Sequence, residues 1–184
     1  KRWFIAYADY SWGQSTHDAY ANEIKANGGS VAGTIGIPLG TADMTPFLSK
    51  ISGDFDGLFF IFFGPDSINI VNQAHDLGLH KKYKWAGDGA VAVASQLPAL
   101  GDKIEGFVGI DRYVPVFDPP LDTPYLHSFY DDAVPRLKAA GIENAAPDRY
   151  VQSNFEAMNT LKLGIEKSKF QGRADSDKLI AALE

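Results

Sequence analysis

The chain has 184 residues, 45 % of them hydrophobic and 22 % charged, which is enough to bury a sizeable core as one large domain or one and a half small ones. Its formal net charge of −6 argues against a nucleic-acid footprint, and its longest apolar run, Leu58–Phe63, is far too short to cross a bilayer. There are no cysteines, so disulfides, thiolate catalysis and cysteine metal sites are excluded.

Short apolar runs then alternate with helical periodicity, the signature of a parallel α/β sheet. The first run, Trp3–Ala8, reads as a buried strand that stops at Asp9, passes Tyr10 and Trp12, and turns at Gly13 into a helix. That helix runs from Ser15 to Asn27, with Ala19, Tyr20 and Ile24 on one face. Ser15 and Asp18 form a capping box, and Asn27-Gly28-Gly29 stops it. Ser30–Ile37 is the second strand, and Thr45-Pro46 opens a short helix through Ile51. Gly57–Phe63 is apolar throughout its last six positions, as expected of a central strand covered on both faces. Asp66 or Ser67 is expected to cap the next helix, whose Ile70, Val71, Ala74 and Leu77 form a stripe ended by Gly78. Tyr83–Ala86 and Gly106–Val114 complete the strands.

After Val114 the character changes. Pro115, Pro119, Pro120 and Pro124 mark a crossing, and the remainder reads as helix. Leu126, Phe129, Tyr130, Ala133, Val134 and Leu137 fall at helical spacing, with Pro135 expected to kink that helix. Val151, Phe155, Met158, Leu161 and Ile165 make a second stripe; Leu179, Ile180 and Leu183 begin a third. The division therefore falls near residue 115, giving segments 1–114 and 115–184. Lys1-Arg2 opens directly on a strand and Glu184 lies inside a helical pattern, so a mature or excised piece of a longer protein is expected.

Enzyme signatures are missing: there is no G-x-G-x-x-G, no phosphate loop, no G-x-S-x-G elbow and no H-E-x-x-H. No catalytic residue, metal site or cofactor is expected. His17, His75, His80 and His127 are placed where they should face water, and Asp54-Phe55-Asp56-Gly57 reads as a polar turn before a strand rather than a calcium loop. Three strand ends carry the chemistry: Asp9-Tyr10-Ser11-Trp12-Gly13, Phe63-Gly64-Pro65-Asp66 and Ala86-Gly87-Asp88-Gly89-Ala90. In a parallel sheet all three should emerge on one edge, where binding sites form. Each is also an ordinary strand-to-helix turn built from Gly, Asp and Pro.

At these residues the chain resembles the second lobe of type I periplasmic solute-binding proteins of ABC importers, the branched-chain amino-acid-binding group. The ordered pieces are DYSWGQ after a strand, ANGGSVAGTIGIPLGTADMTPFLSKI, LFFIFFG, NQAHDLGL, a strand ending at GDG, GFVGIDRYVP and YVQSNFEAMNTLKLGIEKS. The resemblance implies a three-layer α/β lobe over 1–114, followed by helices in 115–184 that in the family pack on the first lobe. It implies no catalysis, and a role in capturing an amino acid or a small aromatic or organic acid for import. The implied partners are the solute and a membrane permease, outside the cytoplasm in the periplasm or extracellular space. Carried over, Trp12 takes the place of a ligand-stacking aromatic, and Phe63 or Gly64 matches another cleft position. Asp88 or Gly89 lies where amino-acid binders place a carboxylate. The expected ligand-binding set is Tyr10, Trp12, Gly13, Phe63, Gly64, Pro65, Asp88, Gly89 and Tyr113. The alternative from another class is a receiver- or flavodoxin-like signalling domain holding Mg²⁺ on Asp9 and Asp88. That domain wants a third acidic residue and a lysine where Phe63-Gly64 and Val114-Pro115 stand.

Overall fold

A computed structural model describes residues 1–111, 123–142 and 146–184. The chain divides into two compact units, Lys1–Arg112 and Tyr113–Glu184.

Unit 1 is an α/β lobe around a five-stranded parallel sheet of order β2-β1-β3-β4-β5. The strands are β1 (Arg2–Ala8), β2 (Ser30–Ile37), β3 (Gly57–Ile61), β4 (Lys84–Asp88) and β5 (Val108–Ile110). Between them lie α1 (Ser11–Ala26), α2 (Thr45–Leu48), α3 (Gly64–Asp76), α4 (Leu79–Lys82) and α5 (Leu97–Leu100). β3 is buried at every position. Its alternation feeds two cores because successive strand side chains leave opposite faces of the sheet. Leu58, Phe60 and Phe62 join Ala6, Ala8, Met44, Leu48, Ile70, Val71 and Ala74 on the α2–α3 side. Phe59 and Ile61 join Ile5, Ala21, Ala86 and the half-buried Tyr20 and Ile24 on the α1 side.

Phe60 is fully buried at the centre of the larger cluster. Phe60→Ala is expected to destabilise unit 1 by about 3–5 kcal/mol through lost burial and the cavity left behind, read by denaturant unfolding.

Several local expectations are corrected. α1 starts at Ser11, not Ser15; Tyr10 is its N-cap without a side-chain cap, and Ser15 Oγ instead donates to the Trp12 carbonyl at 3.1 Å. Ala21 rather than Ala19 meets the sheet. Phe63 is the N-cap of α3, so β3 ends two residues early, and Asp66 and Ser67 are buried in the first turn instead of capping it. Asp66 Oδ2 accepts from Gly40 N at 2.9 Å, pinning the loop after β2 onto α3. β4 runs on to Asp88. β5 has only three residues, and the rest of the expected strand through Val114 lies outside the described residues. Leu77 is exposed. Of the four histidines only His127 is exposed; His17, His75 and His80 are half-buried.

Unit 2 is helical among its described residues: α6 (Pro124–Ala139), α7 (Arg149–Ser168) and α8 (Ser176–Leu183). Thr123 Oγ1 accepts from Leu126 N and Asp148 Oδ1 accepts from Tyr150 N and Val151 N, so both long helices begin on side-chain caps. Leu126, Phe129 and Ala133 bury against Val151, with the Phe129 and Phe155 rings 5.1 Å apart. α8 closes on α7 at Gly164, where an added Cβ would come within 2.6 Å of the Leu183 side chain. Pro135 sits inside an unbroken α6. Much of the second stripe stays exposed, Met158 most of all.

Candidate functional site

Because all five strands are parallel, their carboxyl ends, Ala8, Ile37, Ile61, Asp88 and Ile110, share one edge. β1 and β3 are neighbours there, and their chains leave in opposite directions: α1 packs on one face and α3 on the other. Such a crevice is where open parallel sheets hold ligands.

The aromatic residues of the two connections meet at this crevice. Tyr10 and Trp12 are 5.9 Å apart between ring centroids, Tyr10 and Phe63 6.0 Å, and Trp12 and Phe63 5.8 Å, the last pair edge to face at 84°. Phe63 is 38 % exposed, which for a large apolar ring at a strand end leaves a face open to a ligand. Three mutually touching rings form a rigid apolar corner of low conformational entropy.

Polar groups surround that corner. The first turn of α1 contains no acidic residue and its N-cap supplies no side chain. Its backbone amides therefore present partial positive charge, which favours an anionic group. The Asp9 carboxylate accepts from Gln14 Nε2 at 2.9 Å. Gly64 begins α3 in the left-handed region (φ 58°), and its carbonyl accepts from Gln96 Nε2 at 3.2 Å. Pro65 follows, exposed, in the first turn of α3.

Three of the expected residues carry structural duties in the lobe. Gly13 is buried inside the first turn of α1, where a Cβ would collide with the carbonyl oxygen of Ala8. The Asp88 carboxylate closes its own turn: Oδ1 accepts from Ala90 N at 2.9 Å and Oδ2 from the Tyr20 hydroxyl at 3.2 Å. Gly89 is buried in the short 3₁₀ turn that Asp88 caps. Tyr113 lies outside the described residues.

Sequence alone puts Tyr20 on the first helix's apolar face and Ser67 among the cap candidates, but shows neither their partners across the lobe nor that of Gln96. Ser67 Oγ donates to the Ala90 carbonyl at 3.3 Å, and with Gln96 it ties the start of α3 to the segment after β4. Nothing local marks these pairings, since the partners lie 23 to 68 positions away. An apolar groove of about 480 Å³ lies elsewhere in unit 1, lined by Trp3, Tyr20, Ile24, Phe59, Val108 and Ile110. It is the uncovered α1-side face of the sheet, and the aromatic corner does not line it. Among the described residues there is no group of three or more His, Asp or Glu side chains able to hold a metal ion, and no helix long and apolar enough to cross a membrane.

Comparison with known proteins adds the following. The family described as "Periplasmic binding protein" matches residues 1–184. A Leu/Ile/Val-binding protein homologue of Brucella melitensis is 28 % identical over 122 residues, covering 65 % of this chain and 31 % of the relative. An ABC transporter substrate-binding protein from Sphaerobacter thermophilus superposes with a TM-score of 0.85 at 23 % identity, over 100 % of this chain and 48 % of that one. A solute-binding protein of an ABC transporter from R. palustris, solved in complex with 4-hydroxybenzoate, gives 0.81 at 26 % identity, over 99 % and 48 %. The chain thus spans about a third of the curated relative and about half of these solved structures.

Proposed function

The chain belongs to the periplasmic binding protein family, and from that membership we propose that it contributes one wall of a ligand cleft in the solute-binding component of an ABC importer, with an aromatic carboxylate as the solute. The observation that carries the ligand class is the corner of Tyr10, Trp12 and Phe63 beside the uncapped start of α1. A flat ring stacks on such a corner, and a carboxylate accepts from the helix amides. The likeness to a 4-hydroxybenzoate complex supports the same reading. The solute is held and released, not converted; the partners are that solute and a membrane permease, in the periplasm or outside the cell. The family match takes the place of the Mg²⁺-binding receiver alternative.

Likeness to a Leu/Ile/Val-binding homologue favours a second reading, an aliphatic amino acid. An ammonium group needs a carboxylate; Asp9, held by Gln14, stands at the corner, and Asp88 accepts from Tyr20 and Ala90. The two readings separate in a thermal-shift titration of the natural protein with 4-hydroxybenzoate, benzoate, leucine and valine. The expected result is stabilisation by the aromatic acids, about 2.7 kcal/mol at a hundredfold excess over Kd. Stabilisation by leucine or valine alone would move the assignment to amino acids, and no response to any of the four would overturn both.

A further inference from the structure

Two histidines of unit 1 occupy positions that the strand-end site does not use. After α3 ends at Asp76, the left-handed Gly78 (φ 71°) turns the chain into α4. The turn lays the His80 ring flat on His75, with centroids 4.0 Å apart and planes 3° from parallel. Nδ1 of each ring is buried without a hydrogen-bond partner. Trp85 of β4 packs against both rings, at 6.5 Å from His75 and 5.7 Å from His80.

Parallel stacking at this distance suits two neutral imidazoles and opposes two imidazolium ions, whose like charges would face each other with little water between them.

The charges around the pair are unequal. On α3, Asp76 Oδ1 lies 3.6 Å from His75 Nδ1 and 2.8 Å from Nζ of Lys103, which reaches across from the turn over 101–104. Around His80 the groove is shared with Lys81 and Lys82 of α4, Lys84 of β4 and Lys1, against the single carboxylate of Glu105. A positive charge on His75 therefore has a carboxylate beside it, whereas one on His80 has cations and a second ring. Burial, then the charges of His75 and Lys81, holds His80 below the ordinary histidine range, outweighing the His75 backbone contact that acts the other way.

We propose that the His75–His80 stack is an acid-sensitive joint that tolerates one positive charge but not two, so that the turn between α3 and α4 loosens as the pH falls below neutral. The sign follows from linkage: unfolded His80 takes up its proton near the ordinary value of about 6.5. The folded chain resists that proton until lower pH. Stability is thus complete above the unfolded value and is lost as pH falls through the lowered folded value.

The test uses the full chain. Imidazole NMR titration is run on the wild type and His75→Gln, and thermal midpoints are taken at neutral and mildly acidic pH for the wild type and His80→Gln. The expected results are a His80 midpoint below the ordinary histidine value that rises in His75→Gln, and an acid-induced fall in melting temperature larger in the wild type by roughly 2–4 °C. A His80 midpoint at or above the ordinary value, or parallel acid-induced falls in wild type and variant, would overturn the proposal. Should either variant fail to fold, the wild-type His80 midpoint alone decides.

Discussion

Gly13→Ala is expected to destabilise unit 1 by about 3 kcal/mol, the upper end of what overpacking costs. Gly13 is buried in the first turn of α1, and a Cβ there would overlap the carbonyl oxygen of Ala8, the last residue of β1. The obstacle is backbone, so no side chain can rotate out of the way. Relief requires α1 to lift off the strand end, which would pull Ala21, Tyr20 and Ile24 from the core beneath it. Urea unfolding should show a lower midpoint with an unchanged slope. A midpoint equal to that of the wild type would mean that the strand-to-helix junction is looser than drawn. The glycine in the Asp9–Gly13 stretch meets a close-packing requirement of the strand-to-helix junction.

Trp12→Ala is expected to weaken binding of the proposed aromatic acid roughly 30-fold or more, about 2 kcal/mol, as loss of a buried aromatic anchor does. Trp12 touches both other rings of the corner, so its removal opens the crevice to water as well as deleting contact area. Trp12→Tyr should retain most of the affinity, because a smaller flat ring can still stack. Calorimetric titration of the natural protein and both variants checks this. Equal affinity for Trp12→Ala and wild type would remove Trp12 from the site, while the fold assignment would stand.

Much of unit 1 was legible because its strands are short, apolar and regularly spaced. The run Leu58–Phe63 announces a doubly covered strand without any tertiary information. Helix starts were misread for a shared reason. Both long helices of unit 1 begin immediately after an aromatic residue, Tyr10 or Phe63, in extended conformation, and neither residue type advertises an N-cap. Ser15 and Asp66, which do, are engaged elsewhere. The shared edge of the strand ends was legible, and Tyr10, Trp12 and Phe63 stood in the expected set, but their mutual contact was not, since Tyr10 and Trp12 meet Phe63 only once β1 and β3 are paired. The histidine stack was hidden for a different reason. Five positions apart, His75 and His80 would not coincide on one helix, and the left-handed turn at Gly78 is what superimposes them.

The sheet order has a consequence for how the lobe comes into being. β1 is first in sequence yet interior in the sheet, flanked by β2 and β3. Closing it on β3 joins groups such as Arg2 N and Asp56 Oδ2, 54 positions apart. The β1–α1–β2 unit can assemble early, but one side of β1 stays open until residues 57–61 have been made and delivered to it. Non-local parallel pairings of this kind pay the entropy of loop closure before contacts repay it, which places folding on the slower side for a domain of this size. In the interval Ile5 and Ala6, fully buried in the finished lobe, are exposed along an unpaired strand, and the nascent chain is then most open to pairing with the wrong neighbour.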